Sequence, residues 1–193
     1  VCPYLQSSSE LPESLQVSES SGGLSIGLVW ASDSRNRVMY RHKSIPLDLL
    51  MPRLLDLLDL DLIDLHCLQV GADQNQLDPW RYQPRITDWS EKLTDFSATA
   101  HVVSQLDLVI SVDTAVAHLA GALNRPTWLL LPRNADFRWL RDRSDSPWYP
   151  GCMRLFRQSK QGDWLGLIKQ LHKAFDQLFL LDLEALVAAK LNR

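Results

Sequence analysis

Asp113 and Thr114 stand where a short apolar run, residues 108–112, gives way to a helical pattern, and His118 follows four positions after the threonine. A strand running directly into a helix start aims several unpaired backbone amides at one end of a sheet, and such an end attracts phosphate. Thr114 and His118 are about one helical turn apart, so they share nearly one face and can reach one ligand. An ionised aspartate about 5 Å from a phosphate charge costs roughly 3 kcal/mol at an effective dielectric of about 20. The helix end returns only about 0.3 to 2 kcal/mol. A bound diphosphate therefore requires Asp113 to turn away, capping its own helix, and requires cations nearby. Arg35, Arg37, Arg41 and Lys43 follow the first apolar run, and Arg41 or Lys43 is the expected partner. Asp73, after the second run, is a candidate ribose acceptor. A plainer reading competes on the same residues: Asp113 as a helix cap, Thr114 as a first-turn residue, His118 as a hydrogen-bonded core histidine, and Asp73 and the basic loop as solvated surface.

The elements that must position these groups alternate in type. Residues 25–31 form an apolar run without helical spacing, as in a strand buried on both faces. From Pro46, Leu47, Leu50, Met51, Leu54 and Leu58 recur every three or four residues and predict a helix with one buried stripe. Residues 62–69 read as a second strand and 71–89 as a long polar loop. A helix follows over 97–106 with Ser97 as cap, then a strand over 108–112, a helix over 114–123 ended by Asn124 and Pro126, and a strand over 127–131. A strand at 153–156, a long amphipathic helix through Trp164 to Leu178 and a last helix over 183–191 complete the chain. This alternation predicts an α/β fold, a mostly parallel sheet with helices on both faces, whose ligand sits at the carboxyl ends of the strands. Small Ala120, Gly121 and Ala122 let their helix pack close to the sheet, and Trp30, Trp128 and Trp164 are expected in the core.

The 193 residues carry 20 Lys plus Arg against 23 Asp plus Glu, for a net charge of -3. That balance argues against broad nucleic-acid or acidic-membrane binding. Cys2, Cys67 and Cys152 are widely spaced with no CxxC, as expected of free thiols in a reducing compartment. No run approaches the roughly 18 apolar residues of a membrane span, so no transmembrane segment is expected. Residues 1–24 are rich in Ser, Glu and Gly and read as a linker or tether, with a folded lobe over 25–193. A chain that opens on Val1 and a linker is expected to derive from something longer. Asp59 and Asp61 form a DxD, but they alternate with Leu58, Leu60 and Leu62 as a polar face does, so metal is not expected there. No GxGxxG follows the first strand and no GKS or GKT occurs, which disfavours a dinucleotide fold or a P-loop.

The segment DLVISVDTAVAHLAGALNRPTWLLLP, with DFRWLRDRSDSPWYPGCMRLFRQ after it, resembles the C-terminal region of bacterial glycosyltransferases that often carry tetratricopeptide repeats upstream. These are similar in turn to the lipopolysaccharide heptosyltransferases of glycosyltransferase family 9. GLVWA at 27–31, SIPL at 44–47 and Leu68-Gln69 extend the likeness to residues 25 to about 178. The resemblance implies a GT-B architecture, two Rossmann-like lobes facing a cleft, with this chain as the C-terminal, donor-binding lobe. It places Asp113, Thr114 and His118 at the nucleotide-sugar site, with Ala115 where the family commonly has Gly and Lys43 near a basic residue of the first loop. Ser32, Asp33 and Ser34 depart from a Gly-Asn-Pro turn, one residue is inserted before Ser44, and Phe137 replaces a usual Trp.

The implied reaction is metal-independent transfer of a sugar from a nucleoside diphosphate sugar, a substrate rather than a cofactor, to an acceptor hydroxyl on a glycan, lipid or protein. The amides of Ala115 and Val116, with Lys43 or Arg41, would hold the diphosphate; His118 would bond a phosphate or the sugar, and Asp73 or Gln69 the ribose. The general base belongs to an N-terminal lobe or repeat-bearing region upstream, so this chain alone is not expected to catalyse. The expected location is the cytoplasm or the inner face of the membrane. The alternative is a non-catalytic nucleotide-binding or protein-interaction module derived from the same fold.

Overall fold

The computed structural model describes residues 3–7, 12–18 and 22–191, with side chains up to Leu180. Six strands, β1 (Leu24–Val29), β2 (Ile63–Cys67), β3 (Ile86–Asp88), β4 (Leu108–Val112), β5 (Thr127–Leu131) and β6 (Met153–Arg157), form one sheet in the order β3-β2-β1-β4-β5-β6. Every neighbouring pair of these strands is parallel. The order reverses between β1 and β4, which opens a crevice at their carboxyl ends where no crossover helix covers the sheet.

Among the described residues, four helices cover the two faces, α2 (Leu47–Asp59), α3 (Phe96–Val103), α4 (Ala115–Ala122) and α5 (Trp164–Leu191), while α1 (Arg37–Lys43) buries no residue of its own. Leu47, Leu50, Met51, Leu54, Leu57 and Leu58 of α2 and Leu167, Ile168, Leu171 and Phe175 of α5 bury Ile26, Leu28, Ile110 and Leu130 from one side. Burial of each such side chain contributes about 1.5 to 3 kcal/mol. Ala98, Val102 and Val103 of α3 and Ala117 and Ala120 of α4 cover Val29, Val109, Leu129 and Leu131 from the other. Central strands apolar on both faces account for the lack of alternation in their sequence.

Several local expectations shift. Residues 37–43, expected as loop, form α1: Asn36 accepts a bond from the Met39 amide at 3.2 Å, while Val38 and Met39 stay exposed and leave no apolar period to read. α3 is capped by Asp95, not Ser97, through a 2.8 Å bond from the Ala98 amide. The long loop over 71–89 contains a 3-10 turn (Ala72–Leu77) and the three-residue edge strand β3. The last expected helix, 183–191, is a continuation of α5, and its side chains lie outside the described residues. Trp30 and Trp164 are core, whereas Trp128 is half-buried beneath the Arg154 guanidinium.

Part of the segment read as a tether lies against the lobe. Leu15 is buried beside α3, and the Gln105 side chain accepts from the Val17 amide and donates to the Leu15 carbonyl, both at 2.9 Å. The amides of Tyr4 and Leu5 both donate to the Ala122 carbonyl at the end of α4. Asp61 ion-pairs with Arg85 at the amino end of the sheet, away from the crevice. Cys67 is a buried thiol, its pKa pushed up to about 12 by burial; Cys2 lies outside the described residues. Among the described residues, no helix is long and apolar enough to cross a membrane.

Candidate functional site

A cleft of about 790 Å³ opens where β1, β2 and β4 end. Residues 31–36 form one wall, 68–73 a second, and Asp113, Thr114, Ala115 and Val116 the floor, with Phe96 at the rim. The first wall is held from beneath by Gln69. Its Oε1 accepts from the Trp30 and Ala31 amides at 3.2 and 2.9 Å and its Nε2 donates to the Val70 carbonyl at 3.1 Å. Gln69 is buried, and its Oε1 is committed to shaping the loop, while Nε2 keeps a second N–H beside the cleft it lines.

Asp113 does not cap α4. Its side chain is 3% exposed, and Oδ2 accepts from Lys43 Nζ at 2.6 Å. Thr114 occupies the cap position with no side-chain capping bond; its Oγ1 lies 3.0 Å from Ser111 Oγ. The first amides of α4 therefore face the cleft without a side-chain acceptor, the arrangement that binds an anion. The repulsive aspartate is neutralised by Lys43 rather than turned outward.

α1 delivers a second group. Tyr40, three residues before Lys43, donates its hydroxyl to Asp73 Oδ1 at 2.5 Å, and Gln76 Nε2 donates to the same oxygen at 2.7 Å. This bond to Asp73, with burial, raises the Tyr40 phenol to about 12. Both bonds fall on Oδ1, which leaves Oδ2 as the acceptor of a carboxylate that lines the cleft.

His118 sits behind the floor. Its Nδ1 lies 2.8 Å from Tyr149 Oη, its ring stacks on Trp139 at 5.0 Å and 24°, and its Nε2 lies 3.9 Å from Asp113 Oδ1. Burial is the main cause that pulls its pKa below the ordinary histidine value, opposed by Asp113 and reinforced by Arg138 and Lys43. The sequence-derived candidates Lys43, Gln69, Asp73, Asp113, Thr114, Ala115 and Val116 thus line one cleft, and His118 touches it through Asp113. Arg41 is exposed and outside the lining.

Sequence reasoning missed Tyr40, Tyr149 and Trp139, because aromatics in loops and on an unrecognised helix carry no periodic signal. It also missed Asp95, and it marked Asp33 only as a departure from the family's turn. Four carboxylates, Asp33, Asp73, Asp95 and Asp113, line the cleft against two cations, Arg35 and Lys43. Arg35 pairs with Asp33, which holds that carboxyl down to about 2, and Asp95 caps α3. Any polyanion here relies on the α4 amides and on sharing Lys43 with Asp113.

Residues 92–130, from the turn before α3 to β5, match the model of glycosyltransferase family 9 (heptosyltransferase). Similar solved structures include E. coli heptosyltransferase WaaC with ADP, at 16% identity and TM-score 0.59 over 81% of this chain and 45% of that one. WaaC with ADP-2-deoxy-2-fluoro heptose gives 16% and 0.57 over 79% and 44%. E. coli ADP-heptose lps heptosyltransferase II gives 15% and 0.60 over 90% and 53%. The chain spans about half the length of these proteins. No curated protein sequence matches it significantly. The chain therefore has the fold of a Rossmann-like GT-B lobe and is similar, at the level of the family, to the heptosyltransferases of glycosyltransferase family 9.

Proposed function

We propose that residues 25–193 are the C-terminal, donor-binding lobe of a glycosyltransferase that moves a sugar from a nucleoside diphosphate sugar to an acceptor hydroxyl without a metal ion. One observation carries the reading: the start of α4, free of a side-chain cap, opens into the crevice at the strand-order reversal with Lys43 beside it. The amides of Ala115 and Val116 hold the diphosphate. Lys43, exchanging part of its contact with Asp113, neutralises charge that grows as the leaving group departs; fixed donors of this kind act on developing charge without reorganising. Asp73 Oδ2 accepts a ribose hydroxyl, and Gln69 acts indirectly by setting the loop above it. The acceptor, the base that deprotonates it and the second wall of the cleft belong to an upstream lobe, with repeats as the expected neighbour and the cytoplasmic side as the expected location. The solved relatives that contain ADP or an ADP-heptose analogue support an adenine nucleotide as the first candidate.

A non-catalytic nucleotide-binding module is the second reading, favoured by the Asp33–Arg35 pair in the first loop and by the excess of carboxylates in the cleft. A thermal-shift panel of ADP, UDP, GDP and their sugars tests the shared premise. Ligand at about a hundred times Kd adds about 2.7 kcal/mol, which at roughly 2 to 4 °C per kcal/mol raises Tm by about 5 to 11 °C. No shift with any member defeats both readings. Sugar transfer after an upstream lobe is restored, weakened by His118→Ala, separates the first from the second.

A further inference from the structure

We propose that Tyr149 is a positioning residue that fixes His118 as its Nε2–H tautomer, so that the imidazole presents a hydrogen-bond donor toward Asp113 and toward an anion at the start of α4. The part that concerns an anion rests on the donor-lobe reading; the part that concerns the tautomer does not.

A neutral imidazole has one donor and one acceptor nitrogen. Nε2 faces Asp113 Oδ1 at 3.9 Å, and an ionised carboxylate only accepts. Nδ1 faces Tyr149 Oη at 2.8 Å, and a phenol can donate. With the proton on Nε2, neither end is repulsive: Tyr149 donates to Nδ1 and Nε2–H faces the carboxylate from 3.9 Å. With the proton on Nδ1, a lone pair would face a carboxylate oxygen. The separation at the Asp113 end, 3.9 Å, is too long for a hydrogen bond, so this N–H is not committed within the pair and stays available to an incoming oxygen.

The ring cannot easily rotate out of this arrangement. Trp139 stacks on one face of His118, and Tyr149 is itself buried. Tyr149 lies against α4 only because residue 121 is glycine: a Cβ there would come within 2.5 Å of the tyrosine ring. Tyr4 stacks on Tyr149 from outside at 6.2 Å and 22°. The charged and titratable groups around the imidazole are Asp113, Lys43, Asp136, Arg138 and Tyr149. The depressed His118 pKa keeps the ring neutral near neutral pH, the state in which a tautomer is defined. His118 then serves a phosphate as a donor and is not poised as a base at Nε2.

Two-dimensional ¹⁵N NMR of the whole chain with labelled histidine reads the tautomer directly. At about pH 7.5 the expected pattern for His118 is a protonated Nε2 and an accepting Nδ1. In Tyr149→Phe, which keeps the ring against Gly121, Nδ1 should lose its acceptor signature and the tautomers should mix. ADP affinity, measured on the same samples, should fall roughly two- to tenfold, as for one lost or misdirected hydrogen bond. A protonated Nδ1 in the wild-type chain overturns the proposal, and that measurement needs no variant to fold. An unchanged tautomer in Tyr149→Phe overturns it equally. If the tautomer behaves as expected while ADP, UDP and GDP all fail to bind, Tyr149 positions His118 as proposed and the donor-lobe reading falls instead.

Discussion

Replacing Lys43 by Met tests how the floor of the cleft is balanced. Methionine keeps most of the aliphatic stem but deletes the ammonium 2.6 Å from Asp113 Oδ2, and that carboxylate is only 3% exposed. Removing one partner of a buried pair leaves an uncompensated charge and costs about 3 to 5 kcal/mol. For a domain of this size, each kcal/mol lowers Tm by roughly 2 to 4 °C, so the melting point should drop by about 6 to 20 °C in a circular-dichroism or calorimetric melt. The double variant Lys43→Met/Asp113→Asn removes both charges and should recover most of that loss, since a neutral replacement of the whole pair is often close to harmless. Lys43 lowers the His118 pKa and Asp113 raises it, so the single variant should also shift the His118 titration upward in an NMR series. A single variant that melts within about 2 °C of the parent would refute the reasoning. So would a double variant less stable than the single one.

Gln69→Leu strands the Trp30 and Ala31 amides. An unsatisfied buried donor costs about 1 to 3 kcal/mol, so the urea midpoint should fall, with ADP binding falling alongside it because the first wall loses its support; an unchanged midpoint contradicts the role given to Gln69. Acidification supplies another test. His66, His118 and His172 all have pKa values lowered chiefly by burial, so each favours its neutral form in the fold. Their contribution to stability is present above the unfolded value near 6.5 and is lost as pH falls through the lower folded values, because the unfolded chain takes up protons first. Tm should therefore decline between about pH 7.5 and 5.5, and a flat or rising Tm in that window would contradict the burial of these rings.

The sheet apart from β3 was readable because its central strands are buried on both faces and bounded by polar residues, and α2 because its leucines keep a helical period. β4 and α4 placed Asp113, Thr114 and the amides of Ala115 and Val116 together before any coordinates, since one apolar run enters one helix with no residues to spare. α1 was not readable. Its seven residues bury little, and its helix is held by the Asn36 cap and the partners of Tyr40. Those partners arrive from residues 73 and 76, a distance in sequence that no local pattern spans. The same limit explains Asp113. Electrostatics demanded a cation near it, but only tertiary structure selects Lys43 over Arg41 and replaces a self-capping aspartate with an ion pair. Gln69 shows the converse limit: a polar residue at the right rim was read as a ligand contact, and only tertiary structure reveals that its carbonyl oxygen also holds the Trp30 and Ala31 amides.

The docking of residues 4 and 5 ties the leading segment to the far end of α4. Two successive amides hang from the carbonyl of Ala122, and Tyr4 leans on Tyr149, while the opposite end of the same helix forms the cleft floor. Eight residues make a rod of about 12 Å, too short to bend appreciably. The carbonyl that anchors residues 4 and 5 and the amides that floor the cleft are thus opposite ends of one rigid element.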